Sequence, residues 1–144
     1  MATTTVRTDR HTTGSRLRTA LILIVAVVVA VAANSVVALV AISAGAPATY
    51  GPLTFPAYAL FTALGVIVGW IGWSLVRRRA RDPRRALTML VPVVTLASFI
   101  PDVLLLVLRF IPGTTVSAVV GLMIMHLVVV AVAVPAYVWA SNRS

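Results

Sequence analysis

Few residues in this chain are able to do chemistry, and the segment SFIPDVLLLVLRF, Ser98 to Phe110, sets two of them in apolar surroundings. Asp102 follows Pro101 directly, and Arg109 lies seven residues further on. Thr88, Thr95, Asp102 and Arg109 recur every seven residues, close to two helical turns, with Ser98 four residues before Asp102. A helix aligns them in one stripe. A charged side chain at the bilayer centre costs about 2.5–3.5 kcal/mol even on the insertion scale, so this stripe belongs against a bundle interior or a wet cavity. Pro101 gives no N–H to the carbonyl of Ala97, and Pro92 gives none to that of Thr88. Loose backbone groups of this kind need partners, which again suits a cavity.

Three further polar side chains fall at comparable depth in other apolar runs: Asn34, Thr62 and His126. A carboxylate and an imidazole in an apolar site are equipped for proton transfer, so Asp102 and His126 are the expected catalytic pair. Asn34, Arg109, Ser98 and Thr62 are the expected ligand-binding groups. The alternative is structural: Arg109 leans down its helix to pair with Asp102, while Asn34 and His126 hydrogen-bond across helices to fix register. One His and one Asp offer too few ligands for a metal, and no cofactor motif is present.

These side chains are carried by four apolar runs. Residues 1–18, MATTTVRTDRHTTGSRLR, are polar and lack an apolar stripe, and read as a disordered tail. Spans are expected at about 19–42, 55–76, 86–109 and 116–140, followed by a short polar end at 141–144. The first run has roughly 24 residues and a rise of about 36 Å, enough to cross a ~30 Å hydrocarbon core. It is long for a signal-peptide core of about 7–15 residues, although Ala44-Gly45-Ala46 resembles a cleavage site and leaves processing as an alternative. The Pro- and Gly-bearing stretches SAGAPATYGPLTFP and IPGTT are loops.

Composition agrees. Of 144 residues, 60% are hydrophobic, and the mean hydropathy is +1.05, well beyond a soluble domain. The net charge of +9 arises from twelve arginines against three aspartates. Those arginines cluster at the ends of apolar runs, which argues for a lipid bilayer as partner and against nucleic acid. With both termini and residues 77–85 on the cytoplasmic side, eleven of the twelve arginines lie inside and only Arg109 outside. The expectation is therefore an all-α, polytopic four-helix bundle of the plasma membrane, N-in and C-in. Tyr50, Phe55 and Tyr58 are expected at one interface, and Trp70, Trp73, Tyr137 and Trp139 at the other. The absence of cysteine excludes thiol redox chemistry and disulfide exchange.

Small residues mark expected helix contacts. Gly65, Gly69 and Gly72 form a groove on the second span, suited to bundle packing or to a homodimer through Gly65 and Gly69. Ala30, Asn34, Ala38 and Ala41 give a similar face on the first.

The stretches RLRTAL and AANSVVALV, GVIVGWIGWSLV, ASFIPDV and LMIMHLVVVAVAVPA cover most of residues 16–140. In these the chain resembles a family of small four-helix membrane proteins of high-GC Gram-positive bacteria, classed as a domain of unknown function. The resemblance implies the fold and no chemistry. Three functions fit the residues. The first is a binder or isomerase-like or cyclase-like enzyme for a lipophilic molecule, with a polar pocket opening outward around Asp102 and His126. The second is a proton-coupled transporter coupled at Asp102, and the third a non-catalytic subunit of a larger membrane complex.

Overall fold

The computed structural model describes residues 10–142, and among them there is no strand. Four long helices follow one another: α1 (Arg10–Ser43), α2 (Phe55–Arg79), α3 (Pro83–Leu108) and α4 (Val116–Ser141), with a single 3-10 turn at Gly51–Leu53 before α2. The shortest, α2, has 25 residues and rises about 38 Å, so each can cross a bilayer. All four are apolar enough to do so.

Helix ends follow from local sequence. Asp82 caps α3 by accepting from the Arg85 N–H at 3.1 Å, with Pro83 in the first turn where no N–H is needed. Thr115 caps α4 in the same way through the Ala118 N–H. Beyond α1, Gly45 takes φ 98°. Its N–H meets the Ile42 carbonyl, and the Ala46 N–H meets that of Ala41. Positive φ makes glycine the low-cost residue there and closes the paired hydrogen bonds of a helix stop. α3 stops at Arg109, which adopts a left-handed conformation at φ 49°.

The disordered tail expected over residues 1–18 is not so long, because the chain is helical from Arg10; residues 1–9 lie outside the described residues, as does Arg143. α3 runs unbroken from Pro83 through Pro92 and Pro101.

The bundle is built on the α1–α4 pair. Ala26, Ala30, Asn34, Ala38 and Ala41 form a buried stripe on α1 at spacings of four, four, four and three. The small face expected on α1 is therefore the packed one. α4 answers with Ala118, Gly121, Leu122, Met125, Ala133 and Tyr137. A Cβ placed on Gly121 would lie 2.8 Å from the Ala41 Cβ, so here two helix backbones approach closely. α2 buries Tyr58, Thr62 and Val66. α3 buries only Asp102 and Leu105.

The apolar interior has two parts. One cluster, at the arginine-bearing end, joins Ala26, Val66, Ala133 and Tyr137. The other, at the loop end, joins Ala38, Ala41, Leu105 and Leu122 with Ala46, Tyr50 and Leu53 from the α1–α2 loop. Tyr50 is 1% exposed, its hydroxyl is met by that of Thr114 at 3.3 Å, and Pro47 lies against Gly113 of the α3–α4 turn. The two loops thus close this end of the bundle.

The aromatic residues expected at the two interfaces lie toward the two ends of the bundle, and several of them turn into it. Tyr50, Tyr58 and Tyr137 are buried, and their hydroxyls bond to Thr114, Ser35 and the Val66 carbonyl. Trp70 and Trp73 pack at a tilt against Tyr137. Of these aromatics, Phe55 and Trp139 keep exposed rings. A buried phenol needs a partner, and the bundle supplies one for each.

Candidate functional site

Asp102 sits six residues before the end of α3, and His126 ten residues after the start of α4. These offsets are about 9 and 15 Å of rise from the loop end. The antiparallel helices bring the two side chains together, with His126 Nδ1 3.3 Å from Asp102 Oδ2. The Asp102 side chain is 6% exposed and that of His126 38%. The ring of Phe99 stands edge-on to the imidazole at 6.3 Å.

The hydrogen position on the imidazole follows from its neighbours. Nδ1 also lies 2.9 Å from the Leu122 carbonyl, one turn back on the same helix. A carbonyl only accepts, so Nδ1 carries the hydrogen and donates it. That hydrogen points to Leu122, which explains why Asp102 Oδ2 is at ion-pair distance yet has no hydrogen-bond partner. In the neutral ring, Nε2 then bears the lone pair and faces away from both acceptors. The arrangement is a base at Nε2 whose protonated form has a carboxylate beside it. The Leu122 carbonyl orients the ring, and a carboxylate beside it stabilises the imidazolium.

The other expected site residues divide between neighbours. Asn34 Nδ2 donates to the Thr62 hydroxyl at 2.9 Å, joining α1 to α2. Beside it, Ser35 and Tyr58 share a hydrogen bond of 2.9 Å. Asn34 Oδ1 is buried without a partner. The polar layer therefore consists of an α1–α2 pairing and an α3–α4 pairing.

Ser98 donates to the Thr95 carbonyl at 2.6 Å, and Thr95 to that of Val91 at 2.7 Å. These hydroxyls serve their own helix, as Ser and Thr do when no other partner is near. The expected Asp102–Arg109 pair is absent. Arg109 terminates α3 in an exposed position, and the cation-forming partner of Asp102 is His126. The left-handed turn at Arg109 carries its side chain off the stripe that a continuing helix would have kept.

At the loop end, where the outward opening was expected, Tyr50, Leu53 and Ala46 pack into the apolar cluster with Ala38, Ala41 and Leu122. The one pocket described lies at the opposite end, between α1 and α4, and none of the polar layer lines it. Gly69 is turned toward Tyr137, whose hydroxyl would lie 2.5 Å from an added Cβ. Gly65 makes an ordinary contact with Val129, and Gly72 has nothing within 4 Å. The Ser35–Tyr58 and Tyr137–Val66 bonds escaped sequence reasoning. A hydroxyl-bearing residue beside Asn34, and a tyrosine inside a span instead of at its edge, were the available signals.

Four apolar crossings with a buried polar layer define a multi-pass helical membrane protein. Within that class the chain belongs to a family of unknown function (DUF6069), which matches residues 12–143. No curated protein and no solved structure matches the chain.

Proposed function

We propose that the protein is a membrane-embedded acid–base site for a lipophilic small molecule, with Asp102 and His126 as its reacting pair. The observation that carries this reading is the part-exposed His126 ring with a buried carboxylate 3.3 Å away. A pair serving only to pin two helices would be expected to bury both partners; here the acid is covered and the base is open. Nε2 takes a proton from, or returns one to, a molecule lying against the α3–α4 seam. Asp102 steadies the imidazolium in the interval. With the loop end closed, that molecule approaches sideways from the bilayer. Asn34 and Thr62 hold α1 and α2 in register.

The arginine distribution supports placing both termini and the Arg77–Arg85 loop in the cytoplasm, with the plasma membrane as host. His126 then lies nearer the outer leaflet.

Lipid extracts of cells making the wild type, Asp102→Asn or His126→Gln, at matched levels of folded protein, test the reading. A lipid-soluble product, or loss of its precursor, should appear with the wild type and vanish in both variants. Identical extracts from wild-type and deletion cells would overturn it. If Asp102→Asn lowers only thermal stability while the extract stays wild-type, the pair is a structural pin. In nitrogen NMR, His126 of the wild type should show the Nδ1–H form.

A further inference from the structure

The pocket between the first half of α1 and the last half of α4 has a volume of ≈ 810 Å³, within the ~300–1,000 Å³ range of small-molecule sites. Its floor and walls include Val25, Ala26, Val29, Val132 and Ala136, and Trp139 stands on its rim. Asn142, just past the end of α4, is the polar residue at its mouth. Arg18 precedes Leu21, Ile22 and Val25 of the lining by three, four and seven residues. Those intervals place it on the same helix face, one turn beyond the apolar stretch. Arg18 is exposed, and no carboxylate among the described residues pairs with it. The site thus has an apolar trough within the membrane, and a guanidinium and an amide where the trough reaches the polar boundary.

We infer that this trough binds one anionic phospholipid, with an acyl chain along α1 and α4 and the phosphate on Arg18 and Asn142. A guanidinium suits a phosphate because it offers two parallel N–H donors. The main competing occupant is a second copy of this chain. Two copies in the same orientation would bring Arg16 and Arg18 of each to one level, where like charges repel. The trough lining also carries branched or bulky side chains (Val25, Val29, Trp139), whereas close helix docking needs small ones.

The full chain in detergent, titrated with phosphatidylglycerol or phosphatidylcholine and read by native mass spectrometry, tests the site. Brominated acyl chains quenching the tryptophan emission give a second readout. Phosphatidylglycerol should be retained in preference to phosphatidylcholine. Arg18→Gln should weaken its retention about fivefold. Arg16→Gln, about 200° away around the helix, should leave retention near wild type. Val25→Phe should fill the trough and lower retention and quenching for both lipids. Arg18 and Val25 are exposed, so these variants keep the fold. Equal retention of the two lipids, or equal loss from Arg16→Gln and Arg18→Gln, would overturn the proposal. So would a Val25→Phe protein that binds lipid normally but no longer forms dimers, which would assign the trough to a second copy.

Discussion

Replacing Gly121 by alanine adds one methyl group at a close crossing of α1 and α4. The new Cβ would lie 2.8 Å from the Ala41 Cβ, whereas carbon atoms are at ease at about 3.5–4.0 Å. Both carbons are fixed to helix backbone, so no rotamer relieves the contact and the helices must part by about 0.7 Å or more. Overpacking of this kind costs about 1–3 kcal/mol. Alanine in place of glycine returns about 1 kcal/mol of helix propensity, leaving a net loss of about 1 kcal/mol. Ala41→Gly alone should cost about 1 kcal/mol, through propensity. The double variant moves the methyl from one helix to the other and removes the clash, so its stability should return to within about 0.5 kcal/mol of wild type. Equilibrium unfolding in mixed micelles, read by helical circular dichroism, gives the four corners of the cycle. Additive losses in the double variant would refute the close crossing and, with it, the α1–α4 packing on which the bundle rests.

Labelling of single cysteines in intact cells should reach Ala48→Cys but not Arg81→Cys; the reverse pattern would invert the proposed topology. Ala48 is chosen because Ala46, its neighbour in the same loop, is buried. Thr62→Val removes the acceptor of Asn34 Nδ2 and should cost about 0.6–1.7 kcal/mol, the range for hydrogen bonds between membrane helices. Thr62→Ser should retain most of that stability, and equal losses from the two would mean the hydroxyl is not the relevant group.

The four spans were legible because each is long and apolar, and the α1 face because Ala30, Asn34, Ala38 and Ala41 carry helical spacing in small residues. Asp102 and His126 were legible as ionisable groups where such groups are costly. Their contact with each other was not. α4 is apolar on nearly every side, so its sequence does not say which face turns to α3. Arg109 is the nearer partner along the chain, but the helix ends beneath it in a left-handed turn. Tyr50 and Tyr58 looked like interface anchors because aromatic residues near loops often are. Tyr50 is covered where the α1–α2 loop meets the α3–α4 turn, and Tyr58 turns to Ser35 of α1, tertiary events with no local period. The close approach at Gly121 was hidden for the same reason. Spaced glycines on α2 attract attention, yet where two backbones meet is set by the crossing point, and that falls on an isolated glycine.

The plug of Tyr50, Leu53 and Ala46 across the loop end changes how any encounter with His126 must be counted. On the proposed reading, a molecule that meets the ring arrives dissolved in lipid, so the concentration that matters is moles per mole of lipid and not moles per litre. Adding empty vesicles at constant total solute should dilute the encounter, although the aqueous volume is unchanged. Two solutes of equal intrinsic fit should differ in apparent potency by the ratio of their partition coefficients. An assay in excess detergent would then report weak engagement for reasons of surface dilution, with the site itself unaltered.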